Sequence, residues 1–100
     1  MIITGGENVW PAAVEDILLQ HPGVSEVAVC GRPDPEWGER IVAWVVPDRR
    51  AGPPALADLR ALVREQLAAF AAPRELVIVS SLPKTSIGKL RREELRGWTA

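Results

Sequence analysis

Lys89 stands in Leu82-Pro83-Lys84-Thr85-Ser86-Ile87-Gly88-Lys89-Leu90-Arg91-Arg92, where it follows a glycine and shares the stretch with three further cations. A small core does not require that much positive charge at a flexible point. A lysine on such a loop can deliver a compact cation to a phosphate or carboxylate and steady negative charge as it develops there. The same residues also suit a solvated basic tail, so the stretch alone leaves two readings. Gly5-Gly6 likewise reads as a tight turn, or as a bare backbone that a ligand can pass closely. It lacks the Gly-Lys-Ser/Thr ending of a Walker loop. Trp37 lies among prolines and acids in Arg32-Pro33-Asp34-Pro35-Glu36-Trp37-Gly38-Glu39. An indole there either stacks on a purine or caps a core edge. Trp10 and Trp44 flank apolar segments and are read as core. His21 precedes Pro22 at the end of a helical pattern, where it is read as a partner of the helix dipole. It is the only histidine, and no cysteine pair accompanies it, so no metal site is expected. No nucleophile–base–acid set can be assembled either.

Ile2-Ile3-Thr4 is β-prone, and Gly5-Gly6-Glu7-Asn8 reads as a turn. Pro11 suits a first helical position, and Val14, Ile17 and Leu18 then share one helical face, with Glu15 and Asp16 pointing elsewhere. Pro22-Gly23 ends that helix. Val24 to Cys30 reads as a strand, and residues 32–39 as a polar loop. Ile41 to Val46 reads as a strand whose near-continuous apolarity implies cover on both faces. Asp48 to Pro54 is a connector. Leu56, Leu59, Val63, Leu67 and Phe70 keep helical spacing, so one helix is expected over 56–70, closed by Pro73. Glu75 to Val79 reads as a third strand, Ser80 to Gly88 as loop, and Arg92 to Trp98 as a terminal helix. The order predicts an α+β domain: a small three-stranded sheet flanked by helices.

One hundred residues make one domain with a single core. A 47% hydrophobic and 25% charged composition is that of a globular chain, not a disordered one. Apolar runs fall far short of the roughly 20 residues that span a bilayer, and no secretory signal pattern opens the chain. Cys30, in Val27-Ala28-Val29-Cys30, reads as a buried small hydrophobe, and a single cysteine fits a reducing cytoplasm. The net charge of −1 is uneven. Residues 1–83 carry seven Lys/Arg against eleven Asp/Glu, and residues 84–100 carry five against two. The basic patch therefore surrounds Lys89. It offers no interleaved aromatics except Trp98, which argues against a nucleic-acid partner.

Ile2-Ile3-Thr4-Gly5-Gly6-Glu7-Asn8-Val9-Trp10-Pro11-Ala12-Ala13-Val14-Glu15 closely resembles the motif that opens the carboxy-terminal domain of acyl-CoA synthetases. These enzymes belong to the adenylate-forming superfamily, with firefly luciferase and the adenylation domains of peptide synthetases. The usual form has Tyr at the position of Trp10 and Glu at that of Ala13. His21-Pro22-Gly23-Val24 and Asp34-Pro35-Glu36-Trp37-Gly38-Glu39 also match, at the expected spacing. Leu82-Pro83-Lys84-Thr85 through Gly88-Lys89-Leu90-Arg91-Arg92 looks like the last motif of the family, which carries its catalytic lysine. The resemblance covers the whole chain and implies the family's lid fold, including an N-terminal β-hairpin.

The resemblance implies a two-step reaction. A carboxylic acid and ATP, with Mg2+, give acyl-adenylate and pyrophosphate; the thiol of CoA then displaces AMP. A large amino-terminal domain holds ATP and the acid, while the small domain swings between two poses over it. Lys89 matches the adenylation lysine, with Lys84 and Gly88 as nucleotide and phosphate contacts. Gly5, Gly6 and Glu7 match the turn that lines the pantetheine tunnel, and Trp37 and Phe70 match CoA-binding positions. Two departures stand out. Relatives often carry basic residues where Ala71 and Ala72 stand, so the CoA-phosphate contact is absent or falls to another cation such as Arg74. The residue about which the domain swings normally lies just ahead of the position of Met1. The chain is thus expected to be a lid without its large domain, inactive alone and binding no cofactor tightly. The alternatives are a stand-alone module that binds CoA or a partner, and the lid of a peptide-synthetase adenylation domain.

Overall fold

A computed structural model describes residues 1–95. β1 (Ile2–Thr4) and β2 (Glu7–Val9) form an antiparallel hairpin, followed by α1 (Pro11–Leu18). β3 (Val24–Asp34) and β4 (Gly38–Pro47) form a long antiparallel ribbon. After α2 (Leu56–Gln66) and a 3-10 turn (Ala69–Ala71), β5 (Glu75–Ile78) adds to β4 in parallel, giving the order β3-β4-β5. α3 (Arg92–Leu95) closes the described chain. The expected terminal helix begins in place, but its last residues, with Trp98, lie outside the described residues.

The sheet is covered on both faces, as the apolarity of β4 demands. Val27 and Val29 of β3 with Ile41, Ala43 and Val45 of β4 pack on Val14, Ile17 and Leu18 of α1 and Leu59 and Val63 of α2. The alternate residues Ala28, Cys30, Val42 and Trp44 form a second cluster with Val77, Leu82 and Leu95. Strand alternation thus splits one apolar run between two cores. Trp44 is wholly buried and Cys30 nearly so, as expected.

Three expectations need correction. Residues 32–39 are not a loop: β3 continues to Asp34 and β4 starts at Gly38, leaving only 35–37 to turn. Pro33 fits because β3 is an edge strand, where a missing N–H breaks no ladder. The helix expected to reach Phe70 ends at Gln66, where Leu67 turns extended (φ −131°, ψ 175°). The break lets Ala71, Ala72 and Pro73 enter the core and leaves Phe70 39% exposed. Trp10 is not core. The two-residue period of β2 sends Val9 inward and leaves Trp10 63% exposed at the start of α1. His21 lies just past the carboxy end of α1, and its Nδ1 accepts the Gly23 N–H at 2.9 Å, which shapes the turn after the helix. A Cβ on Gly23 would lie 2.7 Å from the Gly52 carbonyl oxygen, so that turn requires glycine.

Candidate functional site

The Lys89 segment is a tight hairpin, not a slack loop. Lys84 faces Leu90 across an isolated antiparallel bridge, and the Arg91 N–H donates to the Pro83 carbonyl at 2.9 Å. Nearer the tip, the Thr85 N–H donates to the Lys89 carbonyl (2.7 Å) and the Gly88 N–H to the Thr85 carbonyl (2.9 Å). The Lys89 N–H in turn donates to Thr85 Oγ1 at 3.0 Å. Gly88 has φ +85°, the left-handed residue that ends a three-residue hairpin loop. The glycine beside the lysine therefore serves the turn. Leu82 and Leu95, on either side of the hairpin, are buried in the second core, while Ile87 at the tip is 86% exposed.

The four cations of this stretch are not equivalent. Lys84 Nζ lies 2.5 Å from Glu26 Oε1 in β3. Arg92 forks onto Glu15 of α1 (Nη2 to Oε1 2.5 Å, Nε to Oε2 3.2 Å). Arg91 pairs with Glu94 at 3.5 Å. Lys89 is exposed, and its ammonium has no partner among the described residues. Carboxylates thus neutralise three cations and leave one presented to solvent. Glu15 also accepts the Val29 N–H at 2.8 Å, satisfying part of the open edge of β3. Its side chain is only 12% exposed, and its hydrogen bond is the main reason Arg92 holds its proton more tightly than an ordinary guanidinium. Glu15 and Glu26 were not singled out from the sequence. Their partners lie 77 and 58 residues away, so no local pattern marks them.

A second cluster forms around Trp37. Asp34 Oδ1 accepts the Glu36 and Trp37 N–H groups at 2.8 and 2.9 Å, fixing the turn between β3 and β4. These two backbone donors, Trp37 first, hold the Asp34 carboxyl below its ordinary value of 3.8. The Trp37 carbonyl accepts the Gly5 N–H at 2.8 Å. Gly5 has φ +56°, and a Cβ there would lie 3.1 Å from Trp37 Cε3. Gly6 (φ +80°) faces open space, and Glu7 is exposed. The Arg74 guanidinium lies 4.2 Å from the Trp37 ring centroid, a cation–π contact. Gly5, Trp37 and Arg74 are therefore assembled together. Phe70 sits apart from them, lining a groove of about 230 Å3 with Asn8, Val9, Trp10, Ala13 and Leu67. Ala71 and Ala72 are buried, so the cation that reaches this cluster is Arg74.

The two clusters hang from one strand. Glu26 and Asp34 are eight residues apart on β3, about 26 Å of extended chain. No group of three or more His, Cys, Asp or Glu side chains among the described residues is placed to hold a metal ion. No helix among them is long and apolar enough to cross a membrane.

Known proteins resemble this chain in sequence and fold. The 2-succinylbenzoate–CoA ligase of Listeria monocytogenes serotype 4b is 40% identical over 96% of this chain, which matches 20% of that ligase. The amide bond synthetase McbA of Marinactinospora thermotolerans superposes with a TM-score of 0.90 at 40% identity, over 97% of this chain and 19% of that one. A malonyl-CoA ligase solved as a ternary product complex with methylmalonyl-CoA and AMP gives a TM-score of 0.78 at 44% identity. That match covers 83% of this chain and 18% of the ligase. The chain thus spans about a fifth of the length of the proteins it resembles. The profile for the AMP-binding enzyme C-terminal domain matches residues 13–89, from the first turns of α1 to the presented lysine. With the fold, the hairpin and this match in agreement, the chain belongs to the AMP-binding enzyme C-terminal domain family.

Proposed function

We propose that the chain is the mobile C-terminal domain of an ATP-dependent, AMP-forming acid–CoA ligase, and that Lys89 is its adenylation lysine. The observation that carries this is the isolation of Lys89: among the described residues it is the one cation of a short hairpin stretch that no carboxylate pairs. In the adenylation step a carboxylate oxygen of the acid attacks the α-phosphorus of ATP, with Mg2+, and pyrophosphate leaves. Lys89 contributes a positioned positive charge to the oxygens on which charge builds, and takes no part in bond making. In the second step the CoA thiol loses its proton and attacks the acyl carbonyl, and AMP leaves. The Gly5-Gly6-Glu7 turn and the Trp37–Arg74 pair are the surface that meets CoA in that step. Gly6 has no side chain to block a narrow arm, Trp37 offers a purine-sized ring, and Arg74 a cation for phosphate. Phe70 adds an exposed ring in a separate groove, and Gly88 holds the turn that aims Lys89. Lys84 reaches a phosphate only by exchanging its Glu26 partner.

The large domain of the same enzyme, holding ATP and acid, is the principal partner, and the cytoplasm is the expected compartment. In the ligase that carries this domain, Lys89→Ala should slow acid-dependent ATP–pyrophosphate exchange by at least about 10²-fold. Thioester formation from preformed acyl-adenylate should be largely spared. Equal losses in both half-reactions refute the role, and so does exchange activity by the isolated 100-residue chain. The preassembled Trp37–Arg74 pair also favours a second reading, a CoA-binding module without catalysis. Saturable micromolar binding of CoA to the isolated chain, followed by tryptophan fluorescence, supports that module; no response supports the lid.

A further inference from the structure

We infer that Glu15 and Glu26 are positioning residues for Lys89, acting as two clamps of unequal strength on the hairpin that carries it. The inference rests on the reading of Lys89 as the adenylation lysine. Among the described residues the Lys89 ammonium has no partner, and its backbone bonds only to Thr85 of the same hairpin, so its place is set by the two ends of the hairpin. At the carboxy end the clamp is strong. Glu15 is mostly buried, binds Arg92 through both oxygens and accepts a backbone N–H of β3. Cys30 Sγ donates to the Arg92 carbonyl at 3.2 Å, and Leu95 is wholly buried just beyond, so this end belongs to the core.

At the amino end the clamp is light. Lys84 and Glu26 are 44% and 42% exposed, and such pairs hold weakly and are screened by salt. No other ion pair of the described residues ties residues 83–90 to the sheet. Leu82, buried just ahead of the hairpin, keeps the entering chain in the core, so release of Glu26 loosens the hairpin only beyond that residue while the Arg92 end stays fixed, and Lys89 shifts about the Arg92 end. Glu26 touches no substrate in this scheme. It keeps the lysine aimed, and it holds Lys84 until a stronger anion takes it.

The test uses Glu26→Gln, a near-isosteric change at a solvent-exposed pair. In the whole chain at low salt, amide hydrogen exchange of Thr85 and Arg91, which bond across the hairpin, should quicken about two- to fivefold. Amides of the β3–β4 ribbon should not change. The difference should vanish near 1 M salt, where screening is nearly complete. The charge-reversed pair Glu26→Lys with Lys84→Glu should restore slow exchange. In the ligase, Glu26→Gln should slow adenylation with the acid KM unchanged, and leave thioester formation alone. Unchanged exchange at Thr85 and Arg91 overturns the inference, as does faster exchange spread evenly over the sheet. Faster hairpin exchange with undiminished adenylation also overturns it. If Lys89→Ala instead spares adenylation, the functional reading fails while the exchange result stands.

Discussion

Gly88 and Gly52 form a matched pair for testing whether the backbone turn at Gly88 aims Lys89. Both have left-handed backbones, φ +85° and +77°, and a Cβ added to either meets no atom within 4 Å. Alanine at either site therefore pays only for conformation. A left-handed non-glycine residue costs about 1–2 kcal/mol, offset by about 0.4–1 kcal/mol from a stiffer unfolded chain. The net loss is about 1 kcal/mol, or about 4–8 °C in Tm for a chain of this size. Both variants should show it in thermal melts of the chain. Their chemistry should differ. Gly88 immediately precedes Lys89, and its N–H closes the turn on Thr85. Relief of its strain swings the lysine by an ångström or more, which costs about 10²-fold in a positioned reaction. Gly52 closes the Asp48 turn, at a part of the chain that holds neither cluster. Pyrophosphate release in single-turnover adenylation should therefore drop for Gly88→Ala and hold for Gly52→Ala. Equal activity losses, or full adenylation by Gly88→Ala, refute the argument that the turn aims the lysine.

Trp44→Ala should destabilise the chain by about 3–5 kcal/mol in urea titration, whereas Trp10→Ala should stay within about 0.5 kcal/mol, because only Trp44 is buried. Arg74→Ala should raise the KM for CoA severalfold in the ligase without altering that for acid or ATP; an unchanged value removes Arg74 from the CoA surface. The Asp34 carboxyl titrates below its ordinary 3.8, so the stability it contributes is present above that value and is lost as pH falls through the lower, folded one. The Trp37 amide shift should accordingly hold through pH 4 and titrate below 3.8, and Asp34→Asn should abolish that titration.

The elements that bury apolar residues were legible in the sequence because burial has a period. Val14, Ile17 and Leu18 marked α1, and the unbroken run of β4 announced cover on both faces. What escaped was set by distant partners. Prolines and acids at 32–39 looked like loop, yet Asp34 used its carboxylate to turn a ribbon that Pro33 could edge. Leu67 and Phe70 kept the helical period, but the core took Ala71 and Ala72 instead. The Lys89 motif was readable as a basic stretch. Which of its cations stays free depends on Glu15 and Glu26, far away in the chain and brought close only by the fold.

The ribbon of β3 and β4 has a mechanical consequence. It carries a contact of the lysine hairpin at Glu26 and the turn of the Trp37 cluster at Asp34, about 26 Å apart on one strand, so a large displacement of the ribbon carries both ends with it. A reacting centre a few ångströms wide can meet only one end at a time. In a ligase that used both ends in turn, exchanging them would require a turn of the domain over a distance comparable to the ribbon's own length. Motions of that amplitude take microseconds to milliseconds. In a ligase built on this domain, turnover would then be bounded by how fast a rigid body reorients, and the length of one β-ribbon would set the scale of that stroke.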